Sequence, residues 1–232
     1  MSWRTVVITG NAKLDYKMDY MVVRKSDMTT RIYIGEIGML IIESTAISLT
    51  PMLLSELTKH KIKIVFCDEK HNPQSELIPY YGSHDTSAKV RMQTQWSKEV
   101  KENIWTEIVS EKIRKQSDHL KENDQEVQAD MLKQYVKEIE LGDKTNREGH
   151  AAKVYFNALF GLDFSRSKEC AINAALNYGY GILLSCFNRE VIANGYITQL
   201  GLFHNNMFNQ FNLASDLMEP KINQRNLRER KN

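Results

Sequence analysis

Four polar side chains with metal-binding chemistry stand in the C-terminal half of this sequence: Glu148, His204, Asp216 and Glu219. Glu148 follows Asn146, a favourable N-cap residue, so we expect Glu148 in the first turn of a helix. There the helix dipole and free backbone N–H groups favour an ionised carboxylate. Asp216 and Glu219 are three residues apart and can share one helix face. Carboxylates with an imidazole form a mixed ligand set that suits Mn²⁺ or Mg²⁺.

Each of these residues also fits a purely structural role. Asn146 and Glu148 together describe an ordinary capped helix with a solvated glutamate. His204 taken alone fits a hydrogen-bonded loop histidine, and Asp216 with Glu219 fits a solvated helix face. The residue types and their spacing therefore leave both the metal site and the structural interpretation open.

Three further polar residues surround Glu148 in the sequence. His150 lies two residues after Glu148, roughly 200° around a helix, so we do not expect both on one ion. His150 is better placed to orient a neighbour or to contact phosphate. Arg147 and Lys153 are either phosphate contacts or solvated helix charges.

The composition is ordinary for a globular protein. Apolar residues make up 42% and charged residues 26% of the 232 residues, which excludes wholesale disorder and a fibrous repeat. The formal net charge is only +2, but residues 123–145 carry three basic and six acidic groups, whereas residues 221–232 carry five basic and one acidic. A nucleic-acid surface must therefore be a local patch or arise on assembly.

The cysteines and the apolar runs indicate the cellular setting. Cys67, Cys170 and Cys186 lie far apart without a CxxC pair, so we expect buried free thiols, neither a disulfide framework nor a zinc site. The sequence starts without a basic segment leading into an apolar run, and no apolar stretch is long enough to span a bilayer. We therefore expect a cytoplasmic protein without membrane association.

Short β-branched and aromatic segments separated by turn residues predict strands in the first third of the chain. Thr50 and Pro51 supply an N-cap and a proline at the first helical position, which predicts a helix to about His60. The predicted strands are 4–9, 19–24, 31–34, 38–43 and 63–68.

The apolar period changes from two to 3.6 beyond residue 84, where Trp96, Val100, Ile104 and Ile108 fall four apart. The predicted helices cover about 86–120, 126–141, 147–160, 168–193 and 208–218, with 196–203 as a strand or loop. The predicted fold class is α+β. A small N-terminal β-rich domain over 1–75 precedes a linker over 76–84 and a larger all-helical catalytic domain over 85–232.

Several ordered blocks of this sequence resemble the CRISPR-associated integrase family (Cas-one), specifically its type II-A branch. The resemblance covers nearly all of residues 3–220, and blocks this long in this order are far more specific than a short motif. In the helical half the blocks are 146–152, 155–166, 173–180 and 208–220, and in the N-terminal half they are 3–7 and 66–70.

The resemblance implies a catalytic metal site. In the family a Glu, a His and a last acidic residue hold a divalent metal, and these positions fall on Glu148, His204 and Glu219. The implied cofactor is Mg²⁺ or Mn²⁺. The supporting positions are Asn146, Arg147, His150 and Asp216.

The resemblance also implies a set of partners. The β-rich domain is expected to form a homodimer, and two dimers are expected to assemble around a small partner protein (Cas-two). The expected nucleic acid is double-stranded DNA, both the spacer precursor and the CRISPR repeat. Other type II-A adaptation proteins are further expected partners, and the expected compartment is the prokaryotic cytoplasm.

The expected reaction is transesterification, in which a DNA 3′-OH attacks a phosphodiester at the repeat boundary. One alternative is a stand-alone, metal-dependent nuclease for branched DNA that uses the same ligands. The other is a non-catalytic DNA-binding scaffold in which the acidic cluster is structural.

One departure from the family pattern follows Pro220. The family usually continues with Phe-Arg-Pro and further helices, whereas this chain has Lys221 and Ile222 next and ends at Asn232. We therefore expect a C-terminus that is truncated or incomplete relative to the family. Three tail residues cannot be mapped onto it: Arg225, Arg228 and Arg230.

Overall fold

The computed structural model describes residues 4–78 and 83–221. The chain divides into two compact units, Met1–Tyr81 and Gly82–Asn232. Residues predicted to matter that lie outside the described ranges are Trp3, the linker residues 79–82, and the tail residues Arg225, Arg228 and Arg230.

The described part of the first unit contains eight strands and one α-helix, α1 (Pro51–Lys59). A single turn of 3-10 helix, Ile34–Glu36, precedes the fifth strand. The strands are β1 (Arg4–Ile8), β2 (Ala12–Lys17), β3 (Tyr20–Arg24), β4 (Thr29–Tyr33), β5 (Ile37–Ile42), β6 (Ile47–Leu49), β7 (Lys63–Cys67) and β8 (Pro73–Leu77).

The strands form two four-stranded sheets. One has the order β1-β5-β7-β8, with β8 antiparallel to β7 and the other pairs parallel. The other has the order β4-β3-β2-β6, with β6 parallel to β2. Met18 and Asp19 connect β2 to β3 with φ of 49° and 64°. Two such left-handed residues match the twist of a tight hairpin.

Side chains from both sheets and from α1 share one core. Leu14 of β2, Met21 of β3, Leu40 of β5 and Leu57 of α1 are completely buried in it. Because apolar burial is the main stabilising contribution in folding, this core gives the first unit stability of its own.

The α+β class predicted from the sequence is confirmed. The five predicted strands are present as β1, β3, β4, β5 and β7, and Thr50 caps α1 by accepting the N–H of Leu53 at 3.3 Å. Strands β2, β6 and β8 were not predicted. In β2 the buried Ala12 and Leu14 alternate with the exposed Lys13. An alternation of apolar and charged residues this short cannot be told from a loop by its pattern.

The described part of the second unit is built from helices and their connections. Two single turns of 3-10 helix, Leu141–Asp143 and Glu219–Lys221, each stand next to an α-helix. The α-helices are α2 (Thr86–Thr94), α3 (Lys98–Glu122), α4 (Glu126–Lys137), α5 (Arg147–Phe160), α6 (Ala171–Ala193) and α7 (Asn212–Met218).

The prediction of one helix over 86–120 is wrong, because the chain breaks between α2 and α3. Ser97 starts α3 by accepting the N–H of Val100 at 3.2 Å, which satisfies one of the free amides of the new helix. The last helix was also predicted too long, since α7 begins at Asn212 and not near residue 208. Residues 196–203 form a connection without a strand.

Helix α3 is central to the second unit. Its buried Trp105, Val109 and Ile113 form a core with Leu132 of α4 and Tyr155 of α5. The buried stripe of α3 therefore packs against α5, the helix whose first turn carries Glu148.

Gln93, at the end of α2, is completely enclosed and holds the connection that follows α6. Its side-chain amide donates to the carbonyls of Ile197 at 2.7 Å and Leu200 at 3.0 Å, and its carbonyl accepts the N–H of Ile197 at 3.0 Å. These three bonds fix the backbone a few residues before His204.

The cysteines depart in part from the prediction of buried thiols. All three are free and Cys67 is buried, but Cys186 is half-buried and Cys170 is exposed. Cys170 stands at the N-cap of α6, at the end of a surface connection, so its exposure follows from its place at a helix boundary. Among the described helices, none is both long enough and apolar enough to cross a membrane.

Candidate active site

The first turn of α5 carries Glu148 on a firmly capped helix end. Asn146 adopts a left-handed conformation (φ 52°, ψ 46°) and accepts the N–H of Gly149 at 3.3 Å, so the predicted cap is present. The buried Asp143 accepts the N–H groups of Arg147 at 2.8 Å and Glu148 at 3.0 Å. Because these amides are satisfied locally, the Glu148 carboxylate is left to face α3.

Lys112 of α3 lies between two carboxylates that are far apart in sequence. Its ammonium donates a very short hydrogen bond to Oε1 of Glu148 and another of 2.6 Å to Oε2 of Glu219. The side chain of Lys112 is only 9% exposed, and those of Glu148 and Glu219 are 28% and 14% exposed. The structure therefore brings the two predicted glutamates together on one buried cation.

The two carboxylates keep Lys112 charged. Burial alone would lower the pKa of Lys112, but the negative charges of Glu219 and Glu148 more than offset it, so the pKa of Lys112 lies above its ordinary value. At neutral pH the group between the glutamates is thus an ammonium ion.

Asp216 fixes the imidazole of His204. The Asp216 carboxylate is completely buried and accepts four hydrogen bonds, from the N–H groups of Leu202 (2.6 Å), Phe203 (3.2 Å) and His204 (3.0 Å) and from His204 Nδ1 (2.6 Å). A carboxylate only accepts, so in the neutral imidazole the proton is on Nδ1 and Nε2 keeps its lone pair. Metal-binding histidines are oriented in this way.

His204 lies in the electrostatic field of the two glutamates. The hydrogen bond to Asp216 raises the pKa of His204 above its usual value, and the charges of Glu219 and Glu148 add to this effect. Trp105 of α3 forms one wall beside it, with its ring 5.9 Å from the His204 ring in an edge-on arrangement. Glu148 of α5 and Glu219 after α7 thus both contact Lys112 of α3, and the charges of both act on His204.

The residues present supply the kinds of donor atom that bind a divalent cation, namely carboxylate oxygens and an imidazole nitrogen. Two glutamates already hold one cationic nitrogen between them, and an imidazole oriented through Nδ1 stands in their field. In the described ranges, however, no three His, Cys, Asp or Glu side chains are close enough together to hold a metal as they stand. A bound ion would therefore use Glu148 and Glu219 after Lys112 leaves them, with His204 as the third ligand.

The other predicted residues lie away from this cluster. The guanidinium of Arg147 pairs with Glu138 at 2.9 Å and covers the ring of Tyr135 at 5.3 Å, so its contacts are with α4. The exposed His150 has its ring 6.5 Å from that of Tyr135, and Lys153 is exposed.

Sequence reasoning missed two residues that organise the site. Lys112 lies four residues after Ile108 and seven after Trp105, on the buried stripe of α3, and a lysine on such a stripe needs carboxylate partners. Gly201 was also missed, because its role depends on a close approach of backbone. A Cβ there would collide with the carbonyl oxygen of His204 and lie 2.8 Å from Oδ2 of Asp216.

Comparison with known proteins identifies the family. The family model described as CRISPR associated protein Cas1 matches residues 5–221, nearly the whole chain. This chain belongs to the Cas1 family. The Cas-one resemblance found in the sequence is thereby confirmed, and its type II-A branch stays a prediction.

One curated Cas1 relative and two solved structures illustrate the similarity. A CRISPR-associated endonuclease Cas1 from Neisseria meningitidis serogroup C (strain 8013) is 34% identical over 220 residues, covering 95% of this chain and 72% of the relative. A casposase bound to integration product has a TM-score of 0.75 at 18% identity, covering 95% of this chain and 70% of that one. A Cas6-RT-Cas1–Cas2 complex has a TM-score of 0.67 at 21% identity, covering 94% and 26%.

Proposed function

We propose that this Cas1 protein is a divalent-metal-dependent DNA integrase of CRISPR adaptation, which joins the 3′-OH ends of spacer DNA to the repeat by transesterification. The observation that carries the proposal is the cation held between Glu148 and Glu219, whose charges also act on a histidine with its Nδ1 fixed by Asp216. Two carboxylates that share a cation, together with an imidazole oriented through Nδ1, supply the donor types of a phosphoryl-transfer metal site.

The residues have separate tasks in this reaction. The new bond forms between the attacking 3′-oxygen and phosphorus, and the bond from phosphorus to the repeat 3′-oxygen breaks, so one phosphodiester replaces another. Mg²⁺ or Mn²⁺, when bound, would supply Lewis-acid stabilisation of the charge that develops on the phosphoryl oxygens. Glu148 and Glu219 would hold that ion, with His204 as the third protein ligand.

Positioning is the main contribution of the protein, because DNA supplies both the nucleophile and the leaving group. Asp216 orients His204, and the capped first turn of α5 holds Glu148.

The proposed partners follow from the named neighbours. One neighbour by structure is a casposase bound to integration product, and another contains Cas1 with Cas2. We propose that two chains form a homodimer through their β-rich domains. Two such homodimers then assemble with a Cas2-type protein on double-stranded DNA. The domain limits proposed for this assembly are 1–75 for dimerisation and 85–232 for catalysis.

The test is a strand-transfer assay on the full chain with its Cas2-type partner. The substrates are a DNA duplex with free 3′-OH ends and a repeat-containing target, with and without Mn²⁺. We expect joined products from the wild type, and a loss on the order of 100-fold or more in Glu148→Gln or Glu219→Gln. The matched control is Glu111→Gln, because the side chain of Glu111 on α3 is 46% exposed and pairs with Lys115.

The products also separate the proposal from its alternatives. Cut but unjoined DNA from the wild type would indicate a metal-dependent nuclease, an activity that the name of the Neisseria relative favours. DNA binding without products, unchanged by chelation of the metal, would indicate a scaffold. Full joining activity in both glutamate variants would refute the site.

A further inference from the structure

The ammonium of Lys112 stands where the two proposed carboxylate ligands converge. Its nitrogen is hydrogen-bonded to Oε1 of Glu148 and lies 2.6 Å from Oε2 of Glu219. A metal ion bound by these two oxygens would need the space that the ammonium fills, so the ammonium and the ion cannot both bind there. The two cations would also repel each other strongly at such a separation.

Lys112 is built into the core of the second unit. It lies on the buried stripe of α3, between the buried Ile108 and Ile113, and its side chain is only 9% exposed. An ammonium in such surroundings requires paired negative charge, and the glutamates require a cation in return. The contact is therefore built into the core of the second unit and differs from the more exposed Arg114–Glu111 pair on α3.

We propose that Lys112 is the resident counter-ion of the metal site, which holds Glu148 and Glu219 together in the metal-free protein and competes with the divalent ion for them. Metal binding and the Lys112 contacts are then mutually exclusive. Lys112 thus weakens metal binding to the free protein while it stabilises the metal-free fold. This inference rests on the proposed metal site.

The first test measures Mn²⁺ binding alone, without DNA, by calorimetric titration of the full chain. Lys112→Met keeps the length and apolar stem of the side chain but removes its charge. We expect the Kd for Mn²⁺ to fall about tenfold or more in this variant, since removing a competing positive charge strengthens the pull on a cation. An unchanged or higher Kd overturns the inference.

The matched control is Lys115→Met. Lys115 lies on the same helix and forms a 3.1 Å pair with Glu111, away from the site glutamates. Lys115→Met removes the same charged group as Lys112→Met but leaves the contacts of the site glutamates in place. Its Kd for Mn²⁺ should therefore equal that of the wild type. A similar fall in both variants would indicate a general effect of net charge and would also overturn the inference.

A second measurement uses the wild type, in case Lys112→Met does not fold without metal. Lysines are acylated with acetic anhydride and the modified positions are identified by mass spectrometry, with and without saturating Mn²⁺. We expect acylation of Lys112 to rise several-fold with Mn²⁺, because the amine leaves the carboxylates, while Lys115 stays unchanged. Equal acylation of Lys112 in both states overturns the competition.

These readouts distinguish the inference from the proposed function. If Lys112→Met binds Mn²⁺ more tightly but the wild type joins no DNA, the inference stands and the integrase is rejected. DNA joining by the wild type with an unchanged Kd in Lys112→Met would reject only the inference. If neither the wild type nor Lys112→Met binds Mn²⁺, the inference and the proposed function are both rejected.

Discussion

Asp216 combines full burial with four accepted hydrogen bonds, three from consecutive backbone N–H groups and one from the His204 ring. A carboxylate with no exposed surface is tolerated only when its lone pairs are used in this way. Asp216 is therefore a positioning residue for the connection and for the imidazole. The sequence left two roles open for Asp216, a supporting acidic residue of the site or part of a solvated helix face. The solvated face is ruled out for Asp216, because this residue is 0% exposed.

Replacing Asp216 by asparagine should destabilise the protein. The amide nitrogen of Asn cannot accept, so at least one of the buried donors loses its partner. We expect the free energy of unfolding to fall by about 2–4 kcal/mol. Urea unfolding followed by circular dichroism measures this. Asp163→Asn, at an exposed position, should change the value by less than about 0.5 kcal/mol. A loss equally small in Asp216→Asn would contradict the positioning role.

At this scale the sequence predicted the ligand candidates but not their counter-ion. Glu148, His204 and Glu219 could be named because carboxylate and imidazole chemistry is recognisable and the family pattern places each of them. Lys112 could not, since a lysine in the middle of a helix is usually solvated. Its partners come from α5 and from the turn after α7, and this pairing exists only once those elements pack on α3.

The break between α2 and α3 is an element-scale feature that local periodicity conceals. Met92, Trp96 and Val100 keep a spacing of four through the break, so the apolar pattern predicts an unbroken helix. The opposite holds for α5, whose predicted limits match the structure. Its start is set locally by the Asn146 cap, and such caps are readable from sequence.

Gln93 shows what the end of α2 contributes. Its amide makes three hydrogen bonds to the backbone of the connection that leads to His204, across more than 100 residues of sequence. Because nothing in the local sequence marks a glutamine as a long-range clamp, this element pairing could not be predicted.

Gln93→Leu should loosen that connection. The substitution keeps the volume but removes the side-chain partner of two backbone groups of the half-buried Ile197 and of the Leu200 carbonyl. An N–H or carbonyl group left without a partner away from water costs about 1–3 kcal/mol. We expect a lower free energy of unfolding and faster amide hydrogen exchange in residues 197–204. Gln95→Ala, at an exposed neighbouring position, serves as the control. Unchanged exchange in 197–204 would show that other contacts hold the connection.

At the scale of the whole molecule, each unit has its own core. Leu14 is completely buried in the first unit and Leu132 in the second, and they belong to separate clusters. The α+β class could be predicted because the apolar period changes from two to 3.6 along the chain. The two-sheet arrangement could not, since parallel pairs such as β1 with β5 join segments distant in sequence.

Separate cores predict separate responses to cavity mutations. Leu14→Ala and Leu132→Ala should each cost about 3–5 kcal/mol, because a cavity is left in a closed core. Hydrogen exchange followed by mass spectrometry should show lost protection mainly in residues 4–78 for the first variant and in 83–221 for the second. Each variant is the control for the other. Equal loss across both ranges in either variant would show one cooperative unit.

Gly201 extends the idea of a functional position. It carries no chemistry, yet the space that its side chain would need is filled by the His204 carbonyl and the Asp216 carboxylate. A survey that ranks positions by whether a side chain touches substrate would pass over it. The absence of a side chain at residue 201 is therefore as much a requirement of this site as the two glutamates are, because His204 and Asp216 occupy the space that a methyl group would need.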